Sequence, residues 1–370
     1  MAASKVIVVG AGIAGLSLAR SLVKQGFAVE LFDQGPIPNP LSSSFDEHRI
    51  TRHTYGSLDG YTRLMPDAFR AYDALWQDLG KRHYLPTGIA YVRRQADDWY
   101  ATTARDLDAF GIEHRLLTEG EVAARLPMVR PGGIHSVVEV GGAGLLFPQR
   151  ILADLVAWLR EAGVVLHEHS AVEAIDLEHG RVVVAGKTHA ADVVVVAAGA
   201  WVTRLLPEVA PAVTPSRQTV LFLDPPDDLR SAWAEAPILI EEGAHLSYTL
   251  PPRGGTRLKI GDHHFSRRGH PDEDRTPSDE DIAPVEAAAA AAFAGFERYR
   301  ILEAKTCFYT VSDDESFFVQ PLGRTGWVVS ACSGHGFKLA PLIAQGVAEA
   351  ISGKRDPAKI AEWAAGKEPR

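Results

Sequence analysis

Residues 5–35, KVIVVGAGIAGLSLARSLVKQGFAVELFDQG, constrain this chain more than any other stretch. Lys5 to Val9 is a short, continuous apolar strand, the pattern of a central parallel strand covered on both faces. Gly10, Gly12 and Gly15 follow at once. Gly10 permits a tight turn, Gly12 lets the backbone approach a pyrophosphate, and Gly15 lets the next helix pack close to the sheet. The start of that helix, with Ile13 and Ala14, turns unpaired N–H groups and the positive end of the helix dipole toward the anion, so no lysine is needed there. Gly26 ends the helix. AVELF then forms a second apolar strand finishing at Asp33, whose carboxylate suits a ribose diol and repels a ribose phosphate. Strand, glycines, helix and acidic end at these distances point to a bound dinucleotide other than NADP, and leave FAD and NAD both open.

At 370 residues the chain is long enough for two intertwined or sequential domains. Its composition, 46% apolar and 23% charged, is that of a soluble globular protein, and no apolar run is long enough to cross a bilayer. A net charge of −9 argues against a nucleic-acid surface, which needs clustered Lys and Arg, and favours small-molecule partners. Two cysteines cannot make a disulfide framework, and nothing suggests a metal site. MAAS runs straight into VIVV without a signal-peptide pattern, and GKEPR matches no familiar sorting signal, so the expected location is the cytoplasm.

Further along, residues 62–80 and 97–111 have helical spacing around a strand at 87–94. FPQRILADLVAWLREAG, 147–163, is an amphipathic helix with Pro148 near its start and Gly163 at its end. A strand and a hairpin follow, then the buried strand ADVVVVAAGAWV, 191–202. Between 213 and 265, alternating stretches separated by Pro and Gly suggest an antiparallel sheet. Residues 278–296 read as one capped helix, Cys307 lies in a half-buried strand, and GWVVSAC, 326–332, leads through SGHGFK into a last helix. The expected fold class is mixed α/β: a Rossmann-type domain interleaved with a substrate domain built on a large antiparallel sheet. The first would comprise 1–80, 147–212 and 320–370, the second 81–146 and 213–319.

The glycine fingerprint, SSSFDEHRITRHTYG, LKIGDHH, KTCFYT and SGHGFKLAP together resemble the monomeric sarcosine oxidase and N-methyltryptophan oxidase family of the D-amino acid oxidase superfamily. The resemblance spans nearly the whole chain. It implies FAD, joined covalently through Cys307 at the flavin 8-methyl group. On pattern alone Cys307 would be a small buried hydrophobe; the motif around it reverses that ranking. Cys332 has no such role in the family and is read as core. The resemblance also puts Ser43, Ser44, the turn with Gly199 and Trp201, the Val172 backbone, Gly334 and Gly336 beside the cofactor.

The same resemblance puts Arg49 against the flavin ring, Arg52 and Lys338 on the substrate carboxylate, and Tyr248 and Tyr309 in the pocket wall. Arg49 and Arg52, three apart, are helical neighbours if their segment is a turn of helix. Cations and a phenol suit a carboxylate, implying an amino-acid substrate. Lys259, by pattern an outward-facing lysine, is placed by the resemblance near flavin N5, where its charge favours oxidase chemistry with O2. His263 matches a pocket histidine that tunes the amine. Where the family reads S-S-H-G-D-T-R, this chain has Phe45 for the histidine and His48 for the threonine, a change beside the flavin. The implied reaction is oxidation of a secondary amine alpha to a carboxylate, with hydrogen peroxide formed and, by family habit, a monomeric enzyme. The rivals are a dehydrogenase of the same fold using a quinone or carrier, a non-enzymatic dinucleotide sensor, and, further off, a flavin hydroxylase.

Overall fold

The computed structural model describes residues 4–273 and 275–367; residues 1–3 and 368–370, within the termini read above for sorting signals, lie outside the described residues. Val6, Ile7 and Val8 are fully buried, as a strand covered on both faces must be. Their alternation divides two cores. Val6 and Val8 pack with helices Ile13–Lys24 and Ala340–Ile351, while Ile7 and Val9 pack with Val194, Val196 and Val328 on the other face.

The Lys5–Val9 strand lies inside a six-stranded sheet ordered Phe318–Leu322, Gly326–Ser330, Val193–Val196, Lys5–Val9, Ala28–Phe32, Val165–His167. All pairings are parallel except the Phe318–Leu322/Gly326–Ser330 hairpin. Lys5–Val9 pairs on one side with the next strand in the chain and on the other with one arriving nearly 190 residues later. Its carboxyl end is therefore a topological switch point, where such sheets open a crevice.

The second sheet has eight strands, ordered Arg300–Val311, Thr214–Asp224, Leu258–Asp262, Ser247–Leu250, Ile238–Glu242, Ile89–Arg93, Ser136–Val140, His114–Leu116. It is antiparallel apart from the parallel pair Ile238–Glu242 and Ile89–Arg93. The fold is thus mixed α/β with a large, mostly antiparallel sheet, as expected from the sequence. Helix Asp279–Ala292 packs on that sheet; Ser278 and Asp281 form a capping box at its start. It stops at Ala292, short of the stretch read to 296, because Phe293 turns extended and bridges Val129.

A third, three-stranded sheet joins the two regions: Arg49–Thr51 and Tyr84–Pro86 flank Gly144–Leu146. This corrects the helical-turn reading of the Arg49 segment. Arg49–Thr51 is a strand held in register with Leu146–Gly144, and Arg52 follows its end, so the two arginines are not neighbours on a helix face. No helix among the described residues is long and apolar enough to cross a membrane.

Candidate active site

A single cavity of about 860 Å³ runs from the carboxyl end of the Lys5–Val9 strand to the face of the eight-stranded sheet. At the first end, Gly10 has φ +104°, and a Cβ there would sit 2.4 Å from the Ala197 carbonyl oxygen. A Cβ on Gly15 would meet the Gly10 carbonyl at 1.9 Å, so helix and turn touch backbone to backbone. Gly12 is the N-cap of helix Ile13–Lys24 and offers no side-chain cap; no acidic residue occupies the first turn. The Ile13 N–H donates to Ser44 Oγ (3.0 Å). Gly10, Gly12, Ile13 and Ala14 line the cavity, while Gly15 lies behind it in a packing position.

Asp33 is on the same wall. Its Oδ2 accepts from the Ala11 N–H (2.8 Å), and its Oδ1 accepts from the Gly35 N–H (2.9 Å) and Asn39 Nδ2 (2.8 Å). Three donors fix the carboxylate at the mouth of the crevice, and Oδ2, which accepts one of them, keeps acceptor capacity for a hydroxyl. Val172, Gly199 and Trp201 complete this end. The open helix start, the cradle that any Cβ would fill and the fixed carboxylate all fit a dinucleotide.

Ser43 and Ser44 carry the wall onward, with the Ser43 hydroxyl donating to the Phe308 carbonyl. Beyond them stands a buried charge cluster. Lys259 is 0% exposed, and its Nζ donates to Asp46 Oδ2 (2.8 Å) and the His48 carbonyl (2.7 Å). The outward-facing alternative for this lysine is therefore overturned: Leu258–Asp262 is an inner strand covered on both faces. Arg49 pairs with the same Asp46 oxygen (2.5 Å) and donates to the Ser43 carbonyl (2.6 Å). Burial alone would raise the Asp46 carboxyl, but Arg49 and Lys259 hold it far below its usual range. Burial lowers the Lys259 ammonium to about 8 despite Asp46, and Arg49 adds to the depression.

His48 is fully buried, and both ring nitrogens lack a hydrogen-bond partner among the described residues. Burial, then Lys259, push it down to about 3, so it is neutral and adds no charge to the cluster. Phe45 is half-buried against the core of the six-stranded sheet.

On strand Arg300–Val311, Thr306, Phe308 and Thr310 are buried while Cys307 and Tyr309, alternating with them, share the other, half-buried face. Tyr309 lines the main cavity. Cys307 opens into a small adjoining pocket with Arg49 and Phe45. Burial raises its thiol; Arg49 opposes this and Asp46 reinforces it. Cys332, read as core, is half-buried and lines the main cavity, because the strand Gly326–Ser330 ends two residues earlier and the chain turns along the wall.

At the far end Arg52 and Lys338 both face the cavity. Arg52 donates to the Tyr91 hydroxyl (2.9 Å) and lies 5.5 Å over the Tyr55 ring; Lys338 Nζ lies 4.9 Å over the same ring. Neither has a carboxylate ion-pair partner among the described residues. Burial, together with Arg52, depresses the Lys338 ammonium well below its ordinary range. His263, 3.8 Å from Glu315, is lowered to about 4 by burial and by these two cations, hence neutral at pH 7. Burial raises the Tyr248 hydroxyl and keeps it protonated; Tyr248, Gly334 and Gly336 are also on the cavity wall.

Sequence reasoning passed over three of these groups. Asp46 and Tyr55 stand three residues from Arg49 and Arg52, within the quoted motif, and that proximity was the available signal. Tyr91 reads as one more core aromatic, and only the fold brings it to Arg52.

A family model described as FAD dependent oxidoreductase matches residues 5–350. The chain is 28% identical to the monomeric sarcosine oxidase of Bacillus sp. (strain NS-129), over 95% of this chain and 94% of that protein. It is 25% identical to the N-methyl-L-tryptophan oxidase of Yersinia pestis (strain Pestoides F), over 96% and 97%. The crystal structure of L-proline dehydrogenase from P. horikoshii superposes with a TM-score of 0.83 at 19% identity, covering 99% of this chain and 97% of that one, a likeness of fold.

Proposed function

This chain belongs to the FAD dependent oxidoreductase family, and from that premise we propose that it oxidises a secondary-amine amino acid, N-methyl or cyclic, and passes the electrons to O2 as hydrogen peroxide. One observation carries the substrate class. Arg52 and Lys338 are two buried cations facing one cavity, and the described protein supplies no carboxylate to either. Two unneutralised buried charges are costly, and a substrate carboxylate is the counter-ion that relieves them. Tyr55, between the two cations, holds them toward a common point.

With the carboxylate held there, the amine is directed toward Tyr309, Tyr248 and His263. His263 stays neutral beside the two cations and so offers the amine a hydrogen-bonding ring nitrogen without a third positive charge, which favours the neutral, reactive amine. FAD, once bound, supplies the acceptor for the two electrons and hydrogen of the C–H bond next to nitrogen. Gly10 to Ala14, Asp33, Ser43 and Ser44 would hold its dinucleotide portion; Val172, Gly199, Trp201, Gly334 and Gly336 would complete its site. Arg49 would lie against its ring, and Cys307 would hold it through a thioether. Lys259 keeps a positive charge on the cavity wall near neutral pH, which stabilises negative charge developing on oxygen and favours oxidase over dehydrogenase. The assignment of 1–80, 147–212 and 320–370 to cofactor and of 81–146 and 213–319 to substrate belongs to the same proposal.

The test is a panel of N-methyl amino acids, proline, pipecolate and glycated amino acids, followed by anaerobic flavin bleaching and by peroxide release in air. Bleaching with stoichiometric peroxide is the expected result. Bleaching with no peroxide in air would assign a dehydrogenase, and no bleaching by any carboxylated amine would overturn the substrate class.

A further inference from the structure

The Cys307 thiol has the wrong surroundings for an easy ionisation, and this is where a further residue enters. Around its sulfur stand Arg49, Asp46, Lys259 and Cys332, and Arg275 and Lys305 line the same small pocket. Burial raises the thiol. Arg49 and Lys259 are both committed to Asp46, so these two cations bring a compensating anion with them.

Arg275 does not. It comes from the segment between strand Leu258–Asp262 and helix Asp279–Ala292, and it is half-buried. Among the described residues its guanidinium donates to carbonyls, Nη1 to Leu41 (2.8 Å) and Nη2 to Pro271 (3.0 Å). Two rings hold it in place, Phe308 at 5.1 Å and Trp201 at 5.5 Å. Asp272 is occupied by the Trp201 Nε1–H (2.6 Å) and by Arg204 (2.6 Å). No carboxylate among the described residues forms an ion pair with Arg275. Lys305 is held by a single 3.2 Å hydrogen bond to the Phe45 carbonyl, a looser arrangement than four contacts on a planar group.

We propose that Arg275 is a positioning residue for covalent flavin attachment: clamped beside the Cys307 pocket without an ion pair to any described carboxylate, its guanidinium stabilises the Cys307 thiolate that attacks the flavin 8-methyl carbon. This rests on the Cys307 attachment proposed above. In the step, the thiol loses its proton and the 8-methyl group loses one hydrogen as a proton. The sulfur lone pair forms the C–S bond, and two electrons remain on the flavin. O2 removes them with the two protons as one hydrogen peroxide per flavin attached.

The test uses the full chain freed of flavin and mixed with FAD, following acid-stable flavin against time. The wild type should become fully acid-stable. Arg275→Gln should bind FAD at equal stoichiometry but attach it roughly tenfold more slowly at pH 7, the effect of about one pKa unit on the thiolate population. Its deficit should narrow as the pH is raised, and Arg275→Lys should recover most of the rate. Lys305→Gln should attach at close to the wild-type rate. Attachment at the wild-type rate in Arg275→Gln, failure of that variant to hold FAD, or a pH-independent deficit shared by Arg275→Lys would each overturn the role of Arg275. Wild-type flavin released by acid would overturn the Cys307 attachment itself.

Discussion

Two buried lysines line one cavity and are treated in opposite ways. Lys259, on an inner strand of the eight-stranded sheet, has its own carboxylate, Asp46, at 2.8 Å. Lys338, on the turn after the six-stranded sheet, has no ion-pair partner among the described residues and instead meets the Tyr55 ring and the repulsion of Arg52. Desolvation disfavours both cations, so the difference lies in who provides the counter-charge. A paired lysine keeps a charge that the protein itself maintains and can lend to a transient anion. An unpaired one beside a second cation is what the proposed carboxylate substrate would neutralise.

The largest way to break this comparison is Asp46→Asn, which makes Lys259 resemble Lys338. It strips the counter-ion from two buried cations, and stability should fall by about 3–5 kcal/mol, read from urea unfolding. Lys259→Met should cut oxidation of the reduced flavin by O2 roughly 10²–10³-fold in stopped-flow measurements, with anaerobic reduction by substrate much less affected. Lys338→Met should lower kcat/KM about 10–100-fold, mainly through KM, because a charge-assisted hydrogen bond to the substrate is lost. Unlike Asp46→Asn it should leave the urea midpoint unchanged or raised, since it removes an unpaired buried charge. A destabilised Lys338→Met would show that the protein does satisfy that lysine.

The mildest test is pH. Lys259 is a base lowered to about 8, so it is charged below that value and neutral above it. O2 reactivity should therefore decline as the pH rises through about 8, approaching about tenfold per unit beyond it, and Lys259→Met should abolish the dependence. A wild-type profile flat from pH 7 to 9.5 would remove Lys259 from the oxygen step.

Much of the fold was legible because local pattern and tertiary role coincide in it. Lys5–Val9, the glycines and Asp33 are close in sequence, and each has a physical requirement that few residues meet. The Ser278–Asp281 box likewise marks its helix start, while the helix end does not announce itself, since Phe293 leaves the helix for a bridge to a residue more than 160 positions away. Cys307 and Tyr309 could be placed on one strand face by alternation alone.

The sequence by itself determined the kinds of groups available: an anion-binding helix start, a ribose-suited carboxylate, and lysines, arginines and a thiol in recognisable stretches. Only the tertiary structure decided how their charges are shared. Lys259 meets Asp46 across 213 residues, Arg275 reaches the carbonyl of Leu41 across 234, and Arg52 and Lys338 converge on Tyr55. Electrostatic energy depends on distance and burial, not on separation along the chain, so the same lysine is outward-facing by pattern and a buried, paired cation in the fold.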